Sequence, residues 1–346
     1  MPNIRVALNS EKVNRLKEYL SWIDPKKSTE SDYWKKHSGL ISVKFDKNSI
    51  LLSGESGFYF PRELNLPNRF RNFFRLFPTR LSYYIFKGYR NLFPNPIDFL
   101  STFQSAYENI WKCDPVTRRD RSSQLLVNNE ILNFRTIKGM QKKWMASKTH
   151  ILSDVTIKSY FYLQLLESTI QKLQGSTVCE IGPGTGNLAS LFLNHFNTKL
   201  FLVDLPKTLL FSFSYLSQSF PNAKILLPNE IDAGNYELSK YDIIMMTPDQ
   251  TSIIPDGTVD LTVNVGSMQE MVKESIDFYF EMIDRITKPN GYFFSNNRVE
   301  KIMNGQPIRF SEYPWRSYTR TVFFEIDPLF RLIQLDPLFI RLEQYP

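Results

Sequence analysis

From residue 177 onward, short apolar runs alternate with longer stretches in which apolar positions recur every three or four residues. The runs read as buried strands and the longer period as helices that cover them. Residues Thr177–Ile181 are expected to form a first strand and 200–203 a second, with helices over 188–196 and 207–220, the latter stopping before Pro221. Two further runs, 223–227 and 241–246, compete for the place of third strand. The spacing favours 241–246, because Thr247-Pro248-Asp249-Gln250 then makes a turn at a strand end, and it leaves 223–227 as an added edge strand. Val259–Val265 reads as the fourth strand and 268–286 as a helix capped by Gly266 or Ser267. A turn at 288–291 and a fifth strand at 292–295 follow. The β-rich runs 321–326 and 338–343 read as an antiparallel hairpin. The fold class is therefore α/β, a doubly wound and mostly parallel sheet finished by a C-terminal antiparallel hairpin.

The front half has a different texture. A helix is expected over 10–20, β-like runs at 41–45 and 50–52, and helices over 97–111, 128–137 and 155–174, the last leading into the first strand. Prolines 61, 67, 78, 94 and 96 punctuate the stretch between them. Residues 1–150 read as a mostly helical N-terminal cap that contributes substrate contacts, and 151–346 as the sheet domain.

Charge sharpens this division. Residues 1–175 carry 28 Lys and Arg against 15 Asp and Glu, a net of +13, whereas 176–346 carry 14 against 20, a net of −6. The front half thus suits an anionic partner. Within it, 69–93 carries Arg69, Arg71, Arg75, Arg80, Lys87 and Arg90, with nine aromatic side chains interleaved and no acidic residue. That pattern fits a site for an anionic sugar or a lipid-linked glycan, peripheral membrane contact, or the aromatic core face of helices whose basic face is solvated. No RNA-binding motif accompanies it, so nucleic acid is not expected to be the partner. The 346 residues contain two cysteines, Cys113 and Cys179, too few for a disulfide framework. The N-terminus lacks the apolar run of a signal peptide, and no stretch reaches the ~18 apolar residues of a membrane-spanning helix. A cytoplasmic location is the expectation.

The chemistry concentrates at Val178-Cys179-Glu180-Ile181-Gly182-Pro183-Gly184-Thr185-Gly186-Asn187. This is a strand, a glycine-rich turn and the start of a helix, whose free N–H groups and positive dipole end face a ligand. Asp204 follows Glu180 by 24 residues, the length of one βαβ unit, which places a carboxylate at the next strand end to bond both hydroxyls of a ribose. The glycines run G-x-G-x-G, not the G-x-G-x-x-G that cradles a pyrophosphate. An acidic strand end such as Glu180 suits an adenosyl compound carrying an amino-acid end instead.

The order of the E-x-G-x-G-x-G turn, Asp204, the approach to strand four at 255–260 and the turn at 288–291 resembles the class I S-adenosylmethionine-dependent methyltransferases over 177–298. Shorter runs resemble the sugar O-methyltransferase family: Ser31-Asp32-Tyr33-Trp34, Asn133-Phe134-Arg135, Asn264-Val265-Gly266-Ser267-Met268-Gln269-Glu270-Met271 and Asn296-Asn297-Arg298. The resemblance implies a Rossmann-like fold and S-adenosylmethionine as cofactor. It implies a cofactor site at Glu180, Gly182, Gly184, Gly186, Asn187, Asp204, Leu205, Asp249, Gln250, Asn264 and Val265, with the 247–250 turn meeting adenine. It further implies methyl transfer to a sugar hydroxyl, of a nucleotide sugar or a surface glycan. A phenolic or other small acceptor is the second reading, and a non-catalytic cofactor-binding protein the third.

Methyl transfer from a sulfonium is an in-line displacement, so positioning supplies much of the rate. A sugar hydroxyl also needs a base to remove its proton as the bond forms. Glu270, just past strand four, is the first candidate; it also reads as an exposed first-turn glutamate favourable to a helix dipole. His150, near the junction of cap and sheet domain, is the second, with a hydrogen-bonded structural role as its competing reading. Gln269, Asn297 and Arg298 are candidate substrate contacts. Arg298 suits a phosphate or carboxylate clamp, or an ion pair with Glu300. No spacing of His, Cys or Asp suggests a metal, so a metal-independent reaction is expected.

Overall fold

The computed structural model describes residues 3–23, 42–46, 48–53, 154–303, 306–327 and 338–346. Two compact units emerge, one of 1–58, 172–327 and 336–346, the other of 59–171 and 328–335. The described N-terminal residues 3–23, 42–46 and 48–53 fall in the unit that carries the sheet. The motifs at 31–34 and 133–135, the basic aromatic stretch 69–93, the helices expected over 97–111 and 128–137, and Cys113 and His150 lie outside the described residues.

In the second unit, helix α2 (Asp154–Thr169) buries Tyr162, Leu163, Leu165 and Leu166. The first unit opens with β1 (Asn3–Ala7), α1 (Ser10–Ile23), β2 (Ser42–Asp46) and β3 (Ser49–Ser53). β3 lies between β1 and β2, antiparallel to both. The Asn9 side chain starts α1, its Oδ1 accepting from Lys12 N at 2.9 Å. Val13, Leu16, Tyr19 and Ile23 recur along the helix at the three-to-four spacing of a buried stripe.

The main sheet is built from β4 (Thr177–Ile181), β5 (Lys199–Val203), β6 (Ile225–Leu226), β7 (Ile243–Met246), β8 (Val259–Val265), β9 (Thr287–Arg298), β12 (Arg320–Ile326) and β13 (Leu338–Gln344). Their spatial order is β12-β13-β9-β8-β4-β5-β7-β6. From β9 to β6 all neighbours pair in parallel, and β13 inserts antiparallel between β9 and β12. This is the doubly wound, Rossmann-like sheet with an antiparallel C-terminal hairpin. The run at 243–246 is the third strand and 225–226 the edge strand, as the spacing favoured. β4 and β5 are buried on both faces because helices cover both sides of a parallel sheet. The covering helices are α3 (Asn187–Phe196), α4 (Pro206–Ser219) and α6 (Lys273–Ile286), with the short α5 (Pro228–Asp232) beside β6. Cys179, Ile181, Phe201, Val203, Ile244 and Met246 share one core with Ile276, Phe280 and Ile283 of α6. Each such fully buried side chain contributes ~1.5–3 kcal/mol.

Two local expectations are corrected. The helix after β8 begins at Lys273, not 268; residues Met268–Glu270 form a separate 3₁₀ turn. The 288–291 turn is a bulge inside β9, where Val259 pairs with Thr287 but Leu261 with Tyr292, and Asn290 takes φ 64°. A hairpin of β10 (Glu300–Met303) and β11 (Gln306–Arg309) extends from the end of β9 and had no counterpart among the expected elements.

Candidate functional site

Ligands of doubly wound sheets bind outside the carboxyl ends of the parallel strands. Five such ends converge here, at Ile181, Val203, Met246, Val265 and Arg298. β4 runs straight into the glycine turn. Gly182 N donates to Val203 O at 2.8 Å, which prolongs the β4–β5 ladder by one bond. Gly182 then takes φ 73°, and a Cβ there would overlap the Cβ and Oγ of Ser267. Gly184, at φ 57°, has open space where its Cβ would be. The first glycine is required by the fold, the second keeps the approach to the backbone clear.

Asp204 stands at the end of β5 as expected. Its Oδ2 accepts from Gly184 N at 3.0 Å and its Oδ1 from Leu205 N at 2.7 Å, while Ser212 Oγ of α4 donates to Gly184 O at 2.6 Å. The glycine turn is thereby fixed from two sides. Glu180 lies beneath it, 4% exposed. Its Oε2 has no partner among the described residues, although an amide at Ala189 in the first turn of α3 serves the carboxylate. Burial, and after it the charge of Asp204, push the Glu180 carboxyl up to about 8. A desolvated carboxyl group with one unpartnered oxygen, beside a second carboxylate, is an arrangement that a cationic group would relieve. Asn187 is buried and turned inward, its Nδ2 donating to Thr185 Oγ1, so it shapes the turn.

At the end of β7 the 3₁₀ turn Pro248–Ile253 presents Asp249 to solvent and buries Gln250. The Gln250 amide is fully engaged: Oε1 accepts from Thr247 N and Thr247 Oγ1, both at 3.1 Å, and Nε2 donates to Pro228 O at 2.9 Å and Asp232 Oδ1 at 2.7 Å. Of the two, only Asp249 faces outward.

The ends of β8 and β9 carry a tightly bonded polar cluster. Asn264 Nδ2 donates to Ile181 O at 3.0 Å and to Ser267 Oγ, and its Oδ1 accepts from Asn297 Nδ2 at 2.8 Å. Asn297 Oδ1 in turn accepts from Gln269 N at 3.0 Å, and Gln269 Oε1 from Arg298 N at 2.9 Å. Val265 is half-buried, and the following Gly266 N donates to Asn296 O at 2.7 Å. Gln269 and Asn297 therefore act within the wall of the site. Asn297→Ala should lower stability by ~2 kcal/mol, because it strips buried partners from Gln269 N and Asn264. Thermal denaturation checks this; a direct ligand contact would instead show as lost affinity at unchanged melting temperature.

Glu270 sits in the 3₁₀ turn with its carboxylate 3.3 Å from Lys301 Nζ, and both side chains are mostly buried. Two residues at this end carried no candidate role. Asn296, on the opposite face of β9 from Asn297, is wholly buried; its Nδ2 donates to Asp327 Oδ2 at 2.9 Å, and its Oδ1 has no partner among the described residues. The period of two along a strand is the signal that separates Asn296 from its neighbours. Asp327 offers no such signal, because it reaches the site from the far hairpin.

Among the described residues no group of three or more His, Cys, Asp or Glu is placed to hold a metal ion, and no helix is long and apolar enough to cross a membrane. No protein-family model matches this sequence, and neither does any curated protein. Solved structures with a similar arrangement include an S-adenosylmethionine-dependent methyltransferase from Aquifex aeolicus, 16% identical, covering 53% of this chain and 89% of that one at a TM-score of 0.36. They also include geranyl diphosphate C-methyltransferase from Streptomyces coelicolor A3(2) with S-adenosyl-L-homocysteine, 12% identical, covering 55% of this chain and 79% of that one at a TM-score of 0.38.

Proposed function

We propose that this chain is an S-adenosylmethionine-dependent O-methyltransferase acting on a sugar hydroxyl. The observation that carries the donor assignment is the buried Glu180 carboxylate, with its unpartnered Oε2, beneath a turn whose glycines 182, 184 and 186 all have positive φ. Glu180 would meet the cationic amino-acid end of the donor, Asp204 the ribose hydroxyls and Asp249 the base, while open space at Gly184 admits the ligand close to the backbone. The cofactor, when bound, supplies an electrophilic methyl group on a sulfonium sulfur. The acceptor would lie against the ends of β8 and β9. There the Asn264–Asn297–Gln269 cluster holds the wall rigid and Glu270 stands as the proton acceptor, kept in place by Lys301. The choice of a sugar rests on the short runs 264–271 and 296–298, and the basic front half favours an anionic one.

Calorimetry with S-adenosylhomocysteine tests the donor half, and methyl transfer to a panel of glycans, nucleotide sugars and phenols tests the acceptor half. Failure of the intact protein to bind S-adenosylhomocysteine removes the whole reading. Transfer to phenols alone replaces the sugar. Glu270→Gln should lower turnover at least ~10-fold at unchanged donor affinity; a rate within a few-fold of wild type excludes Glu270 as the base.

A further inference from the structure

Helix α1 reaches the donor half of the site through a continuous chain of hydrogen bonds. Trp22 Nε1 donates to Asp232 Oδ2 at 2.9 Å, and Asp232 Oδ1 accepts from Gln250 Nε2 at 2.7 Å. Gln250 Oε1 accepts from Thr247 N and Oγ1, capping the turn that presents Asp249. Trp22 also stacks on Tyr19, with ring centroids 5.5 Å apart and planes inclined by 21°. The Tyr19 hydroxyl donates to Pro206 O at 2.8 Å, two residues beyond Asp204, and burial together with the Asp204 charge raises its pKa. One helix therefore touches both the strand end that carries Asp204 and the turn that carries Asp249. Its register is held by Arg15, which bonds both carboxylate oxygens of Glu230 at 2.7 Å and Ile225 O at 2.6 Å.

The order of donors and acceptors along this chain has one sense. The Gln250 NH₂ group faces two acceptors, Pro228 O and Asp232 Oδ1, and so its carbonyl must point at Thr247. Removing the charge on Asp232, or the indole N–H that holds it, weakens the restraint on that amide and on the turn it caps. Asp249 is the residue whose position then drifts. A carboxylate at that place accepts from the exocyclic amine of adenine and repels the carbonyl that replaces the amine in hypoxanthine.

We infer that Trp22 and Asp232 are positioning residues through which the N-terminal helix sets the base selectivity of the donor site, by fixing the 247–250 turn. The inference rests on the donor reading above. Its test compares binding of S-adenosylhomocysteine and S-inosylhomocysteine by calorimetry to the full chain, in wild type, Trp22→Phe and Asp232→Asn. Trp22→Phe keeps an aromatic ring beside Tyr19 and deletes the indole N–H along with part of the ring system; Asp232→Asn sets an amide donor against one of two donors. Wild type should prefer the adenine ligand by ~10-fold or more, and each variant should narrow that preference by ~3-fold to 10-fold. A purely structural role would weaken both ligands equally, so an unchanged ratio in both variants overturns the inference even if stability falls. Wild type binding neither ligand overturns the donor reading and this inference with it. Wild type binding both ligands equally overturns the inference alone.

Discussion

Gly182→Ala should lower the unfolding free energy by ~2–5 kcal/mol. Two costs add. A non-glycine residue at φ 73° carries ~1–2 kcal/mol of backbone strain, and forcing a methyl group into the space filled by Ser267 adds ~1–3 kcal/mol of overpacking. The two separate in a double-mutant cycle. Ser267→Gly empties the space that the new methyl needs, so the steric part should vanish from Gly182→Ala in that background, leaving the backbone part. A coupling of ~1–3 kcal/mol by chemical denaturation is the expected result; strictly additive effects would show that Ser267 is not what excludes a side chain at 182. Gly184→Ala is the contrasting case. At φ 57° with open space around its Cβ, it should cost ~1–2 kcal/mol of stability but more in affinity for S-adenosylhomocysteine, since its methyl would occupy the open space of the proposed donor site. One glycine is kept by its neighbour in the fold, and the next would be kept by the proposed donor.

That difference marks how far the sequence could be read. The strand–turn–strand core was legible because its signals are local: apolar runs, alternating glycines, and an aspartate one βαβ unit downstream. Thr177–Ile181 and Val259–Val265 have the bounds that their apolar runs indicate. Failures came where long-range bonds override local pattern. Residues 268–270 continue the helical period of α6, yet Asn264 and Ser267 tie the chain back to Ile181 O and hold it in a separate 3₁₀ turn. β1 carries no local signal, because five residues of mixed polarity become a strand only by pairing with β3. The grouping of the N-terminal segment with the sheet depends on contacts such as Lys12 Nζ to Ser217 O, 205 residues apart, which no window along the chain contains. Gln250, Gln269 and Asn297 are polar residues at the right end of the sheet, but their amides bond the wall together.

Glu180→Gln should stabilise the free protein and weaken donor binding together, a pairing that a purely structural glutamate cannot produce. The sign follows from the raised carboxyl. Its value is 4.5 in an unperturbed chain and about 8 in the fold, so the folded state retains a proton that the unfolded state has released. Stability from this group is complete below the unperturbed value and is lost progressively as pH rises to about 8. At pH 7 the loss amounts to ~3 kcal/mol. The amide introduced by Glu180→Gln does not titrate, so the variant should gain roughly that amount at neutral pH, and its stability should stay flat where wild type declines. Denaturation at several pH values reads this directly, and parallel curves for the two proteins would refute it. Binding runs the other way. A cation delivered to the unpartnered Oε2 draws the carboxyl into its ionised form, so wild type should release close to one proton per ligand at neutral pH. Calorimetry in two buffers of different ionisation enthalpy measures that number. In Glu180→Gln the release should disappear and affinity for S-adenosylmethionine should fall by ~30-fold or more, the scale of losing one partner from a buried charge pair. Proton release that persists in the variant would assign the counter-charge to another group. The burial that makes this carboxylate costly to the fold is also what would make it hold a cation, so the two measurements should change in opposite directions.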